Sequence, residues 1–174
     1  MTTHLIDNIF SEEERLKIIE DVQPLLLDGI ELGKYITHLY NPDYGAVYQE
    51  GFSWFSLTHD TVHQHPDFKE RIEIITQRAS EEVKIPLKCI KAWVNVSDGR
   101  SKRRMYHNHQ AFFSSVYYIK TFPFFSNGTV FKDRGLVKAP QNSLLLFPSH
   151  FLHTTPGSPL RFKRYTMALD FIEA

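Results

Sequence analysis

The chain has 174 residues with 20 basic and 20 acidic side chains, so its formal net charge is zero at pH 7. This balance argues against a strongly basic surface, and we do not expect nucleic acid as a partner. No run of about 18 apolar residues occurs, so no membrane-spanning helix is predicted. The length suits one domain covering residues 1–174. The single cysteine, Cys89, cannot form an intrachain disulfide, which fits a reducing compartment and predicts a cytoplasmic protein.

Two helices are predicted in the first half of the chain. Ser11 followed by Glu14 has the spacing of a capping box, and the apolar residues after it recur at helical intervals. This pattern predicts a helix over residues 12–27. Pro66 suits a first helical turn, and the apolar pattern that follows it predicts a second helix that ends before Pro86.

The pattern changes after residue 88, where short β-branched and aromatic runs alternate with turn-forming residues. The predicted strands cover residues 89–96, 113–120, 143–147 and 164–172. The turns between them contain Asp98-Gly99, Asn127-Gly128, Pro140-Gln141-Asn142 and Pro156-Gly157-Ser158-Pro159. Helices early and strands late predict an α+β, mainly β domain in which the helices brace one face of a β sandwich or jelly roll. Residues 1–87 would supply the helical support and first strands, and residues 88–174 the core.

Three of the nine histidines form a candidate metal site. His107 and His109 are two residues apart, so their side chains share a face if the segment is extended. His153 comes after enough strands to return the chain to that face. Three imidazoles on one side of an octahedral iron leave positions for a bidentate cosubstrate and dioxygen. His150 competes with His153 for the third position, and the alternative to any metal site is that these are surface and core histidines.

Arg164 opens the last predicted strand, and Thr166 lies on the same face two residues later. A guanidinium with a neighbouring hydroxyl is a good receptor for a carboxylate. A dicarboxylate could therefore chelate iron through a keto-acid end while Arg164 holds its far end. A second basic feature, the segment from Arg100 to Arg104, is either a solvated loop or part of a lid formed by residues 97–106.

Six short motifs occur in an order that resembles the iron- and 2-oxoglutarate-dependent dioxygenases. Within that family they are most similar to the prolyl-hydroxylase branch and to small oxygenases of marine bacteriophages and bacteria. The motifs are Ala92-Trp93-Val94-Asn95-Val96, His107-Asn108-His109, Ser115-Val116-Tyr117-Tyr118-Ile119-Lys120, Gly128-Thr129-Val130-Phe131, Leu146-Phe147-Pro148-Ser149 with His153, and Arg164-Tyr165-Thr166.

The resemblance implies a double-stranded β-helix that binds Fe(II), 2-oxoglutarate and dioxygen. It places His107 as the first iron ligand, His153 as the last, and His109 at the position of the usual second ligand. Arg164 corresponds to the basic residue that pairs with the distal carboxylate of 2-oxoglutarate. Further residues implied to face the cosubstrate are Thr166, Tyr118, Ser114 and Asn95. Trp93 is expected in the core rather than in the site.

One residue departs from the family pattern. The usual motif is HxD or HxE, and His109 occupies the carboxylate position. Three neutral histidines keep a charge of about +2 on an Fe(II) site, whereas a carboxylate ligand reduces it to about +1. Asp133 is another carboxylate in the region and is expected in a turn.

The activity implied by the resemblance is hydroxylation of a C–H bond, with a peptidyl proline or another amino-acid side chain as substrate. A phage-encoded protein would act in the host cytoplasm. A cupin-type metal dioxygenase that does not use 2-oxoglutarate is an alternative, but the Glu expected soon after HxH is missing and Arg164 would have no task. The remaining alternative is a non-catalytic jelly-roll binding or virion protein.

Overall fold

The computed structural model describes residues 2–23, 55–56, 62–97, 106–122, 127–156 and 163–174. Its helices are α1 (Glu12–Val22), a short 3-10 helix (Val62–Gln64) and α2 (Pro66–Val83). Its strands are β1 (His4–Ile6), β2 (Phe55–Ser56), β3 (Leu87–Ser97), β4 (Phe113–Lys120), β5 (Gly128–Phe131), β6 (Gly135–Lys138), β7 (Leu144–Pro148), β8 (His153–Thr154) and β9 (Arg164–Glu173).

Both predicted helices are present. The Ser11 hydroxyl accepts a hydrogen bond from the Glu14 backbone N–H at 3.2 Å, so it caps the first turn of α1. The predicted residues 24–27 lie outside the described residues. Helix α2 begins at Pro66 and ends where Lys84 adopts a left-handed conformation at φ 57°. Cap residues and apolar spacing therefore determine both helices locally.

Strand β9 lies inside a six-stranded antiparallel sheet of order β1-β7-β4-β9-β3-β2. Its neighbours β3 and β4 run antiparallel to it, and a residue of β9 can therefore pair with one residue on each of these two strands. Thr166 pairs with Asn95 on β3 and with Tyr118 on β4, while Asp170 pairs with Ser114 on β4. Paired residues share a face, and the register therefore gathers these polar side chains on one side of the sheet.

The opposite face of this sheet packs against the two helices. Residues that alternate with the polar set bury their side chains there, and the core they form with α1 and α2 contains Ile18, Phe68, Ile75, Val94, Tyr117, Leu146, Met167 and Leu169. Tyr117 belongs to this core and Tyr118 to the other face, as the alternation predicts. The helices thus cover one face and leave the polar face for the second sheet.

The second sheet has three strands in the order β6-β5-β8. It packs on the polar face through a small apolar cluster that joins Tyr118, Leu145 and Phe147 of the large sheet to Phe131 and Val137 of the small one. Two facing antiparallel sheets with helices outside one of them form an α+β, mainly β jelly roll, which confirms the predicted fold class.

Strands β3, β4, β7 and β9 lie where the β-branched and aromatic runs predict them, and β5, β6 and β8 lie outside the predicted strands. The turn at Asp98-Gly99, the basic segment from Arg100 to Arg104 and nearly all of the proposed lid lie outside the described residues. Among the described helices, none has the length and apolar character needed to cross a membrane.

Candidate metal centre

The side chains of His107, His109 and His153 converge at the edge of the two sheets. One ring nitrogen from each lies within 4.8 Å of the other two. The backbone explains the convergence, because His107 and His153 form a β-bridge with N–H···O distances of 3.0 and 2.9 Å. The His109 N–H is held by the Ser149 carbonyl at 3.0 Å. Two distant segments are therefore fixed side by side by the backbone itself.

His153 is oriented as a metal ligand requires. Its Nδ1 lies 2.8 Å from the Phe151 carbonyl oxygen, and because a carbonyl only accepts, Nδ1 carries the proton and Nε2 keeps its lone pair. Burial lowers the pKa of this imidazole to about 4. The ring is therefore neutral at physiological pH and can donate its lone pair to a cation.

His109 is oriented by a carboxylate that the sequence did not reveal as part of the site. Its Nδ1 lies 3.0 Å from Oδ2 of Asp170, a residue of β9 that is only 3% exposed. The Ser114 hydroxyl donates to the other oxygen, Oδ1, at 2.6 Å. Trp93 stacks on the His109 ring with centroids 5.4 Å apart and planes inclined by 17°. These contacts leave Nε2 of His109 for the cluster.

A cavity of about 200 Å³ extends from the three histidines along the polar face of the large sheet. Its walls include Trp93, Asn95, Val116, Phe147, Thr166 and Ala168. The sequence predicts Trp93 in the core, and the structure places it in this wall instead. The reason is strand alternation: Ala92 and Val94 take the positions that face the helices, so Trp93 points to the site.

Arg164 enters the same cavity from β9 and is 3% exposed. One terminal nitrogen donates to the Gly128 carbonyl at 3.2 Å, and the guanidinium carbon lies 5.4 Å from the centre of the Tyr118 ring. Its Nε is buried without a hydrogen-bond partner. Burial lowers the pKa of Arg164, and no carboxylate within the described residues forms an ion pair with it. A buried guanidinium without an ion-pair partner among the described residues favours the binding of an anionic ligand.

The remaining predicted residues surround Arg164 or the histidines. Tyr118 is fully buried and its hydroxyl shares a 2.7 Å hydrogen bond with Thr129, while burial raises the pKa of its phenol. Asn95 has a buried Oδ1 without a partner. Thr166 lies between them in the register. Ser114 lines the cavity too, but its hydroxyl donates to Asp170.

Two rival residues lie outside the cluster. His150 is exposed and packs its ring edge against Phe151. Asp133 lies in the turn between β5 and β6, as expected, where it is exposed and pairs with Arg134. The structure therefore brings together His107, His109 and His153 and leaves His150 and Asp133 in solvent.

The residues present fit a divalent transition metal and a small anion. Neutral imidazole nitrogens suit such metals, and three of them converge here. The unpartnered Arg164 Nε and Asn95 Oδ1 lie in the same cavity and are a donor and an acceptor for a polar ligand.

No protein-family model matches this sequence, and no curated protein matches it. Solved structures do match its fold. HygX from Streptomyces hygroscopicus, with nickel and 2-oxoglutarate bound, aligns with a TM-score of 0.65 at 11% identity over 99% of this chain and 83% of its own. SnoK, a non-haem α-ketoglutarate-dependent carbocyclase from nogalamycin biosynthesis, gives 0.67 at 10% identity, over 99% and 79%. EctD from S. alaskensis, with bound Fe, gives 0.65 at 10% identity, over 98% and 72%. At these identities the likeness establishes a shared fold.

Proposed function

We propose that this protein is an Fe(II)- and 2-oxoglutarate-dependent dioxygenase that hydroxylates a substrate C–H bond. The observation that carries the proposal is the sharing of one cavity by three convergent histidines and a buried arginine, to which the described residues offer no anionic partner. A histidine cluster alone would fit several classes of metal protein, and a buried arginine alone could serve the fold. Together they match the two ends of 2-oxoglutarate, which has a keto acid to chelate a metal and a distal carboxylate to pair with a cation.

In this proposal His107, His109 and His153 hold the iron. When bound, iron and 2-oxoglutarate supply dioxygen activation and oxidising power for C–H cleavage, with succinate and carbon dioxide as co-products. The protein holds the distal carboxylate between the Arg164 guanidinium and the Thr166 hydroxyl. The phenol ring of Tyr118 fixes the guanidinium from one side, and the Asn95 carbonyl can accept a hydrogen bond from a bound water or ligand.

The cavity walls restrict what else can enter. Phe147 and Val116 line it from the β7 and β4 side and Ala168 from β9, so apolar groups lie between the charged ends of the pocket. Apolar walls exclude loosely bound water and strengthen the carboxylate–guanidinium interaction. The same walls leave a volume of about 200 Å³, which suits a small cosubstrate.

The substrate class follows from the sequence motifs and is a proposal of the same kind. Resemblance to the prolyl-hydroxylase branch favours a peptidyl proline or another amino-acid side chain. Proteins of this fold carry out different reactions, since SnoK is described as a carbocyclase and SnoN as an epimerase, both from nogalamycin biosynthesis. Hydroxylation is therefore the outcome to be tested, by mass spectrometry of candidate peptides incubated with enzyme, Fe(II), 2-oxoglutarate and dioxygen.

Replacing Arg164 tests the cosubstrate directly. Arg164→Ala should weaken 2-oxoglutarate binding by about 30-fold or more, because truncating one partner of a buried charge pair costs about 2–5 kcal/mol. Binding of the metal alone should stay near the wild-type level. Calorimetric titration under anaerobic conditions measures both affinities, and succinate formation measures turnover.

The matched control is Arg78→Ala. Arg78 lies on α2, outside the cavity, and its side chain donates a hydrogen bond to the Asp7 carbonyl oxygen. This variant should bind 2-oxoglutarate like the parent. Arg164→Lys, which keeps the charge but loses the planar fork, should fall between the two. A folded Arg164→Ala protein with wild-type 2-oxoglutarate affinity would contradict the role of Arg164. Metal-loaded wild-type protein that binds no 2-oxoglutarate would contradict the proposed function and would favour a metal dioxygenase that works without this cosubstrate.

A further inference from the structure

Among the described residues, no carboxylate joins the three histidines as it does in HxD and HxE sites, but a carboxylate lies one hydrogen bond away from them. Asp170 accepts from Nδ1 of His109, and Nδ1 and Nε2 lie on opposite sides of the imidazole ring. The carboxylate therefore directs Nε2 of His109 towards the other two histidines. The His109 imidazole thus connects the buried Asp170 carboxylate to the proposed metal site.

The position of the Asp170 side chain is fixed by burial and by two hydrogen bonds. It is 3% exposed, and its two oxygens have separate donors, Ser114 at 2.6 Å and His109 at 3.0 Å. The register of β4 and β9 puts Ser114 directly opposite Asp170. Burial of a carboxylate is costly unless it is hydrogen-bonded, so these two donors stabilise Asp170 in its buried position.

The ring partners of His153 and His109 differ in charge. His153 donates to the neutral Phe151 carbonyl, whereas His109 donates to a carboxylate. A carboxylate partner makes an imidazole a stronger electron donor to a metal than a carbonyl partner does. It also returns negative charge to a site whose three ligands are neutral.

We propose that Asp170 is a positioning residue that supplies, through His109, the negative charge that a carboxylate ligand supplies in HxD and HxE sites. This inference rests on the proposed metal site. The stack of Trp93 on His109 limits rotation of the ring, so the hydrogen bond and the stacking together fix its plane.

The test uses Co(II) as the probe metal, because its visible absorption reports the ligand field. Asp170→Asn keeps the shape of the side chain and removes its charge. We expect its Co(II) affinity to fall by about 10- to 100-fold, the usual effect of losing a partner of a metal-bound histidine, and its absorption bands to shift. Asp133→Asn removes an exposed carboxylate from the β5–β6 turn and should leave affinity and spectrum unchanged.

The outcomes separate this inference from the proposed function. If wild-type protein binds no Co(II), or His107→Ala binds it as tightly, the metal site fails and the role of Asp170 fails with it. If wild-type binds Co(II), His107→Ala does not, and folded Asp170→Asn matches the wild-type in affinity and spectrum, the role of Asp170 alone is overturned.

A second measurement needs no variant of Asp170. In the Zn(II)-loaded wild-type protein, nitrogen-edited NMR can observe the Nδ1 protons of the ligands, with His109→Ala and His153→Ala used to assign them. The Nδ1 proton of His109 should resonate downfield of the Nδ1 proton of His153, because a carboxylate is a stronger acceptor than a carbonyl. Equal shifts would overturn the inference even if Asp170→Asn does not fold.

Discussion

Opposite charges lie on one face of β9, at the two ends of the cavity. Arg164 and Asp170 are six residues apart, so their backbones are about 20 Å apart along an extended strand. Between them the same face carries Thr166 and Ala168, whose small side chains leave the space open. One strand thus contributes the cation and the hydroxyl that we propose bind an anionic ligand, and an acid that orients the ring of a proposed metal ligand, His109.

Cys89 on β3 allows a prediction that concerns a single residue. Burial raises the pKa of its thiol to about 12. At pH 8 this lowers the reactive thiolate from about a quarter of the molecules, as for a free cysteine, to about one in ten thousand. We expect Cys89 to react with a disulfide reagent at least about 100-fold more slowly in the folded protein than in guanidinium. Equal rates in the two conditions would contradict this protection of the thiol by the fold.

The site residues differ in how far the sequence could predict them. His107 and His109 could be grouped because a separation of two residues puts both side chains on one face of an extended segment. The resemblance placed His153 rather than His150 beside them, and Arg164 stood out as a cation opening an apolar strand. Asp170 could not be assigned, because its role depends on the register that puts it beside Ser114 and on the fold that brings His109 to it. The sequence around it carries one indication, a carboxylate between the apolar residues Leu169 and Phe171 of a predicted strand.

Among the helices and strands as well, some are predictable from the local sequence and others depend on tertiary contacts. Helix α2 and strand β4 occur where the sequence predicts them, because helical apolar spacing and a run of β-branched and aromatic residues are local properties. The short strands β5, β6 and β8 have two to four residues, too few to show a period. Their pairing comes from tertiary contacts, including the bridge between His107 and His153, which sequence patterns do not contain.

Strand β5 offers a test at the scale of the element. Gly128 has φ 150°, and a Cβ built there would lie 1.9 Å from the Val137 carbonyl oxygen of β6. Gly128→Ala must therefore separate the two strands, and we expect a loss of more than about 1 kcal/mol in the free energy of unfolding, measured in urea. Because the Gly128 carbonyl accepts from Arg164, 2-oxoglutarate affinity should fall as well.

Gly135, on the partner strand β6, is the matched control. It also has a positive φ, 74°, but a Cβ there would meet no atom within 4 Å. Gly135→Ala should show only the backbone strain of a side chain in that region, about 1 kcal/mol, with 2-oxoglutarate affinity preserved. If both variants lose the same stability and the same affinity, the close approach of β5 to β6 does not position Arg164.

The contact between the large sheet and the helices buries more apolar side chains than the contact between the two sheets does. The large sheet and its helices share an extensive buried core, whereas the small sheet joins the large one through a few side chains around Phe131 and Phe147. The histidines lie at this weaker junction. His153 belongs to β8 of the small sheet, while His109 is tied to β9 of the large sheet through Asp170. A metal ion bound by all three would therefore link the sheets.

Metal binding should for this reason raise the stability of the whole molecule. A ligand that binds only the folded state at 100 times its dissociation constant adds about 2.7 kcal/mol. For a chain of this size that corresponds to about 5–11 °C in melting temperature. We expect such a rise when Co(II) or Ni(II) is added to metal-free protein, measured by circular dichroism, and its reversal when a chelator is added.

Variants of His153 and His150 distinguish metal binding at the histidine cluster from metal binding at the protein surface. His153→Ala should abolish the metal-dependent rise in melting temperature, because one of three converging donors is lost. His150→Ala should retain it in full, since that imidazole is exposed and outside the cluster. A rise that survives in His153→Ala would mean that the ion binds elsewhere, and the junction between the sheets would then owe its stability to its apolar contacts alone.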